Sequence, residues 1–456
     1  MTSKGDNRRA AANLVSAAAL ACLTQAPAQA QPARAPEPLS PAFTGPLVGT
    51  YQGADGCRYE VTRSTLRLFL LNACTREWRA IRKLSDRVWS GSHHVASGGP
   101  TVFTVSFPEA ARGRPQRMII APLSGPRVDA ARRRTYAVDE VTFRSADGIK
   151  LAGSVLSPLG GGRRPALVLV HGSGPQDRYG DASVIDLLAR KFVSAGYVVL
   201  QYDKRGVGGS GGDWRTASFR TMAEDALAGR ALLMTRSDVD PSRVGVGGSS
   251  QAGWISAKAV EQVPAIPFVL LVGAGGSALN VQDQNAYNNG VNMRCAGIPQ
   301  PVADKVIAQQ RLYFRAEKDP SLRPELAAVT AALEKDERIA PWLMPATAAR
   351  ADPTQWFVAM ETDFDPRPVW KAYRGRAVFA YGERDDQTPG SIAAPRVEAL
   401  GNPNITVVTA PQSQHGGLLA EDDCHVGYDQ VSRFDDRLWG PVDRWIAEMA
   451  VARPTP

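Results

Sequence analysis

The sequence predicts an α/β protein with a mostly parallel central sheet, a helical insertion late in that sheet, and a small all-β unit ahead of it. Three observations lead there. From about Ala137 onward, apolar runs suited to buried strands alternate with amphipathic helical stretches, a pattern that specifies parallel strands covered by helices on both faces. Before Arg134, short β-type runs follow one another with turn signals between them. Between Gly276 and Arg374 the strand pattern stops for about a hundred residues and helical stripes replace it.

Residues 1–30 hold a basic start (Lys4, Arg8, Arg9), an apolar stretch from Ala10 to Leu23 and the small-x-small site Ala28-Gln29-Ala30. This is the layout of a secretory leader, with the mature chain expected to begin at Gln31. A lipid anchor on Cys22 is the alternative, but the preceding Ala19-Leu20-Ala21 lacks the leucine expected for it. No later segment approaches 18 uninterrupted apolar residues, so stable membrane insertion is not expected. Residues 31–46, rich in proline and alanine, read as a linker. Of the net charge of +8, +6 remains once Lys4, Arg8, Arg9 and Asp6 leave with the leader. The excess is arginine scattered along the chain rather than a basic stripe, which argues against a nucleic-acid partner. Export leaves Cys57, Cys74, Cys295 and Cys424, an even number. Four cysteines allow three pairings. A local Cys57–Cys74 bridge would close a hairpin-sized loop and leave Cys295 with Cys424; free buried thiols are the alternative.

Residues 47–134 form the small β-rich domain, with strands expected at Tyr59–Val61, Leu66–Leu71, Val88–Ser90, Val102–Phe107 and Met118–Ala121. His93 and His94, adjacent on a strand, would point to opposite faces and are a poor metal pair. Val138–Phe143 and Leu151–Leu156 flank Asp147-Gly148, a hairpin turn. Later strands are expected at Ala166–Val170, Val198–Tyr202, Val244–Gly247, Phe268–Val272, Ala377–Tyr381 and Ile405–Val408, with helices over Val184–Ala195 and Phe219–Thr235.

In parallel sheets the functional loops lie at the carboxyl ends of strands, and here those loops are unusual. After Val244–Gly247 comes Gly248-Ser249-Ser250-Gln251-Ala252, then a helical stretch. Strand, sharp turn and helix with small flanking residues suit a serine elbow, G-x-S-x-G with Ala252 in place of the second glycine, which selects Ser250 as the nucleophile. In the Ser249 register Gln251 would fill the crowded position. After Val170 comes His171-Gly172-Ser173-Gly174-Pro175-Gln176-Asp177, whose glycines let backbone N–H groups face a neighbouring site. The Ser173 and Gln251 N–H groups are the expected oxyanion donors, each typically worth about 2.7–4 kcal/mol in the transition state. Asp203-Lys204-Arg205-Gly206-Val207-Gly208 reads as a charged turn bracing the site. After Tyr381, Gly382-Glu383-Arg384-Asp385-Asp386 supplies a carboxylate, with Asp385 preferred by its spacing to Gly382 and Pro389. After Val408, Ser413-Gln414-His415-Gly416-Gly417 supplies a loop histidine. Serine, aspartate and histidine at successive strand ends is the chain order of one hydrolase architecture.

From about Ala137 to Ala450 the chain resembles the α/β-hydrolase superfamily. The runs H-G-S-G-P-Q-D-R (His171–Arg178), D-K-R-G-V-G (Asp203–Gly208) and S-Q-A-G-W-I (Ser250–Ile255) resemble exported bacterial esterases grouped with S33-like serine aminopeptidases. The resemblance implies an α/β-hydrolase catalytic domain over 135–275 and 375–456, a helical cap over 276–374 that roofs the site, and a triad of Ser250, Asp385 and His415. The cap aromatics Trp342, Trp356, Phe357, Phe364 and Trp370 would line an acyl pocket or form the cap's own core. The resulting expectation is an esterase acting on a small-molecule ester, with no metal or organic cofactor implied. An S33-like aminopeptidase and an inactive binding protein on the same scaffold are the alternatives. Nothing in the sequence addresses oligomeric state.

Overall fold

The computed structural model describes residues 44–452, apart from 65, 97, 109–112, 347–360, 425–426 and 429. The expected leader and most of the linker lie outside the described residues, as do Trp356 and Phe357. The last linker residues are packed: Thr44 is buried and its carbonyl accepts the Leu47 N–H at 3.0 Å.

Eight antiparallel strands form a closed barrel: β1 (Gly49–Gly53), β2 (Arg58–Arg63), β3 (Leu68–Asn72), β4 (Trp78–Lys83), β5 (Val88–Gly91), β6 (Phe103–Ser106), β7 (Arg117–Pro122) and β8 (Val128–Arg133), with β1 paired to β8. Closure leaves no unpaired edge. The period of two decides which side chains fill it. Leu68, Leu70 and Ile81 point into the barrel core with Tyr51, Trp89 and Phe107, whereas Phe69, Trp78 and Ala80 point out and are buried against another part of the chain. Strands β1, β4 and β8 were not expected from sequence. Their Gly-Thr-Tyr-Gln-Gly, Trp-Arg-Ala-Ile-Arg-Lys and Val-Asp-Ala-Ala-Arg-Arg runs carry glycine or charge where a β-branched run would have marked them. His93 and His94 follow β5 in an exposed bend rather than sitting on a strand. Among the described residues no cluster of histidine, cysteine or carboxylate is placed to hold a metal.

The second sheet has eight strands: β9 (Tyr136–Arg144), β10 (Lys150–Pro158), β11 (Arg164–Val170), β12 (Val198–Tyr202), β13 (Val239–Ser249), β14 (Phe268–Val272), β15 (Arg376–Gly382) and β16 (Ile405–Ala410). Their order is β16-β15-β14-β13-β11-β12-β10-β9. All pairs from β12 to β16 are parallel; β9 and β10 form the expected hairpin, and β10 runs antiparallel to β12. Burial on both faces explains the continuous apolar runs. Ala166, Val168 and Val170 face a core shared with α2 (Phe219–Met234), α3 (Ala252–Gln262), α7 (Arg367–Ala372) and α8 (Gly390–Glu398). Leu167 and Leu169 face the opposite core, with α1 (Val184–Ser194) and α9 (Asp436–Val451).

The insertion between β14 and β15 carries α4 (Val281–Cys295), α5 (Gln300–Lys318) and α6 (Arg323–Leu333). Its apolar stripes close two small cores of their own, one around Met293, Val306 and Ile339 with Trp342 against it, the other around Leu312, Tyr313 and Leu326. Trp370 and Phe364 instead pack with the main sheet core. Trp370 reaches it because its indole N–H is satisfied by Gly276 O at 2.7 Å. No helix among the described residues is long and apolar enough to cross a membrane.

Candidate active site

Strand β13 ends at Ser249, α3 starts at Ala252, and the chain reverses at Ser250, which has φ 60°. A non-glycine residue in that region is strained by about 1–3 kcal/mol and persists only where its surroundings impose it. The imposition is visible. A methyl on Gly248 would lie 2.1 Å from Val170 O and 2.8 Å from the Ala252 methyl, so only glycine fits opposite Ala252. The alanine at the second glycine position is therefore accommodated by the bare Gly248 facing it. Ser250 N–H donates to Val272 O at 3.3 Å, and Ser250 is half-buried, whereas Ser249 is buried in register with Val272.

His415 Nδ1 lies 2.8 Å from Asp385 Oδ2. Asp385 is fully buried and its other oxygen accepts the Gln387 and Thr388 N–H groups at 2.8 and 2.7 Å, which fixes the carboxylate after β15. Gly273, directly after the carbonyl that holds Ser250, closes the arrangement. A methyl there would stand 3.1 Å from His415 Nδ1 and 3.2 Å from Asp385 Oδ2. With φ 54° and no side chain, Gly273 lets the serine turn and the histidine–aspartate pair share one neighbour. Burial pulls the His415 pKa down, but the charge and hydrogen bond of Asp385 and the charge of Asp386 outweigh it and hold the imidazole above its ordinary value. Asp386 is itself buried, and burial together with the Asp385 charge pushes its carboxyl up to about 6.

The loops after β11 and β12 lock each other. Asp203 takes two bonds from the Arg178 guanidinium, at 2.8 and 3.1 Å, and one each from the Arg178 and Gly209 N–H groups. Arg205 forms a two-point pair with buried Asp225, at 2.6 and 2.8 Å. These contacts account for Arg178, Asp203 and Arg205, since fork-to-carboxylate pairs fix orientation as well as energy. A methyl on Gly172 would come within 3.5 Å of Ser250 Cβ, so this loop passes beside the elbow. His171 is buried against Tyr202 O, and burial, aided by Lys204, pushes its pKa down to about 3, which makes it a neutral structural histidine. Lys204 is buried behind the same loop, which sequence reasoning read only as part of a bracing turn.

The segment after His415 is held from two sides. Backbone bonds join Trp78 N–H to Ser432 O, Val95 N–H to Val431 O and Phe434 N–H to Arg76 O, at 2.7–3.1 Å, so the barrel docks on the histidine's own segment. Leu418 and Val431 bury the outward-facing Phe69 and Trp78. From the other side, Cys295 at the end of α4 is bonded to Cys424, and the second bridge joins Cys57 to Cys74. Helix α4 also reaches the aspartate loop, where Asn288 Nδ2 donates to Asp386 O at 3.1 Å. The five residues selected from sequence thus lie on loops at the carboxyl edge of the sheet: Gly273, whose preceding carbonyl holds Ser250, adjoins the His415–Asp385 pair, Gln251 follows Ser250, and Ser173 follows Gly172, which passes beside Ser250. The acids before the return to the sheet do not join them. Glu361 pairs with Lys258, Asp363 with Lys318 and Asp365 with Arg367.

The family whose profile matches the chain is described as X-Pro dipeptidyl-peptidase (S15 family), over residues 147–372. Two uncharacterized proteins from strains of Mycobacterium tuberculosis are each 32% identical over 155 residues, 34% of this chain and 52% of theirs. The chain thus spans about half the length of those curated relatives. The esterase EstD of Thermotoga maritima is 34% identical over 124 residues, 26% of this chain and 30% of that protein. Among solved structures, an esterase of Pyrococcus furiosus matches at TM-score 0.41 and 15% identity, over 61% of this chain and 83% of the other. The profile match covers just under half of the chain, and the second sheet, parallel from β12 to β16 with an antiparallel hairpin at one edge, is that of an α/β fold.

Proposed function

We propose that this α/β-hydrolase-type chain is an exported serine hydrolase that cleaves carboxylic esters through an acyl-enzyme on Ser250. The observation that carries the reading is the strained Ser250 turn, φ 60°, one glycine away from a half-buried His415 bonded at 2.8 Å to the buried Asp385. His415 takes the Ser250 proton as the hydroxyl oxygen attacks the ester carbonyl. The oxyanion that forms is held by the N–H groups of Ser173 and Gln251, the latter at the start of α3 where the helix dipole favours negative charge. His415 then protonates the leaving alcohol, and in the second half it deprotonates the water that releases the acid. Asp385 keeps the imidazole in one tautomer and stabilises its cation through both halves. Export is supported by the leader-like first thirty residues and by two cystine bridges, which persist in oxidising compartments.

The S15 match favours a second reading, a peptidase releasing residues from a peptide amino terminus. Such an enzyme needs a desolvated carboxylate for the substrate ammonium, and the three acids at 361–365 are already paired, Glu361 with the buried Lys258, and Asp363 and Asp365 with the exposed Lys318 and Arg367. Graded p-nitrophenyl esters set against aminoacyl and X-Pro p-nitroanilides separate the two. Short-chain esters are expected to turn over with little release from the anilides, and anilide kcat/KM equal to or above that of the esters decides for the peptidase.

A further inference from the structure

Lys204 follows β12 and is 2% exposed. Its Nζ donates to Gly172 O at 2.6 Å, to Gly174 O at 3.0 Å and to Gln251 Oε1 at 3.0 Å, which uses all three of its protons. The Trp214 ring, 5.9 Å away, forms another wall. Among the described residues no carboxylate pairs with it; the adjacent Asp203 is turned to Arg178. A buried ammonium whose partners are all neutral oxygens is costly to maintain. Burial accordingly pushes its pKa down to about 7. Ordinary packing gives no reason to keep such a group beside Ser250.

The reason lies in which oxygens it holds. Gly172 C=O and Ser173 N–H belong to one peptide unit, which is trans like the other described peptides, so the two groups point in opposite directions. Tying Gly172 O to the ammonium therefore turns Ser173 N–H away from the lysine. That N–H has no protein acceptor among the described residues, and Gly172 itself passes beside Ser250. The third bond ties the side chain of Gln251, whose backbone N–H follows the nucleophile. We propose, resting on the serine-hydrolase reading above, that Lys204 is a positioning residue that builds the oxyanion hole. One ammonium fixes the peptide carrying the first donor, anchors the residue carrying the second, and prevents the 172–173 peptide from flipping its carbonyl toward the developing negative charge. Donors held in place before the reaction require no reorganisation during it.

The test compares wild type with Lys204→Met, which is similar in length but cannot donate, using an aryl ester and a trifluoromethyl ketone that places a tetrahedral oxyanion in the hole. Circular dichroism and thermal unfolding report whether the variant folds. The expected result is a kcat lower by about 10²–10³-fold, the loss seen when one oxyanion donor is removed, with KM within about threefold. Affinity for the ketone falls in parallel with kcat. A merely structural lysine would not move kcat and ketone affinity together while sparing KM. If Lys204→Met does not fold, Lys204→Gln is measured against the same criteria. An active wild type whose folded variant keeps its kcat and ketone affinity, or loses activity only through KM, overturns the assignment of Lys204. A wild type that neither hydrolyses the ester nor reacts with a fluorophosphonate overturns the hydrolase reading itself, and this inference with it.

Discussion

Trp78 of the barrel stacks on Phe434, ring centroids 5.3 Å apart and planes at 25°, although 356 residues separate them in the chain. Phe434 lies on the segment that follows His415, and Leu418 of that segment is buried in the same cluster. The barrel is thus a wall behind the histidine loop rather than a remote appendage.

Trp78→Ala is expected to destabilise the protein by about 3–5 kcal/mol, as for other buried tryptophans, and to lower kcat by loosening the His415 loop. Trp89→Ala is the control, since Trp89 is equally buried but lies in the barrel's own core. Ester turnover by the folded variants at a temperature below both transitions checks this. Equal kcat in the two would disconnect the barrel from the site.

Ser250→Ala should abolish ester hydrolysis and labelling by a fluorophosphonate with an unchanged circular dichroism spectrum. Ser249→Ala should keep both, because Ser249 is the last paired residue of β13 and is buried away from the turn. The reverse pattern of labelling moves the nucleophile by one residue.

In the proposed mechanism only neutral imidazole can take the Ser250 proton, so activity is expected to rise with pH through the His415 pKa. Asp385 and Asp386 hold that pKa up against burial. Asp386→Asn removes one of the two charges, so the acid limb of kcat/KM should shift to lower pH, with a larger share of maximal activity kept at pH 5. The plateau rate should change little. Asp385→Asn should lower the plateau itself by orders of magnitude, by analogy with the roughly 10⁴-fold loss for an aspartate-to-asparagine change in a serine protease triad. An Asp386→Asn limb that stays in place or moves upward contradicts the expected coupling.

The Cys295–Cys424 bridge ties α4 to the His415 segment across 129 residues. Replacing the pair by serine should cost about 2–5 kcal/mol of stability and reduce turnover more than replacing Cys57 and Cys74, whose bridge spans 17 residues of the barrel. Peptide mapping of unreduced mature protein should recover both bridges, and four alkylatable thiols would refute them.

The sequence by itself determined the elements whose cause is local. Val198–Tyr202 and Phe268–Val272 match their strands end to end because both faces of each are buried, which leaves an uninterrupted apolar run. Gly248, Ser250 and Ala252 exposed the turn because only small residues fit around it, and chain order then selected Asp385 and His415. Tertiary structure alone decided what depends on segments far apart in the chain. The barrel strand Trp78–Lys83, with three basic residues, reads as solvated until Trp78 and Ala80 meet Val431 and Leu418. Lys204 reads as a charged turn until the folded sheet brings Gly172 and Gln251 to its Nζ, and Asp386 is set apart from Asp385 by spacing alone until packing buries it beside that residue. Periodicity records which face of a segment is buried, whereas a buried charge is defined by partners that the chain brings together only on folding.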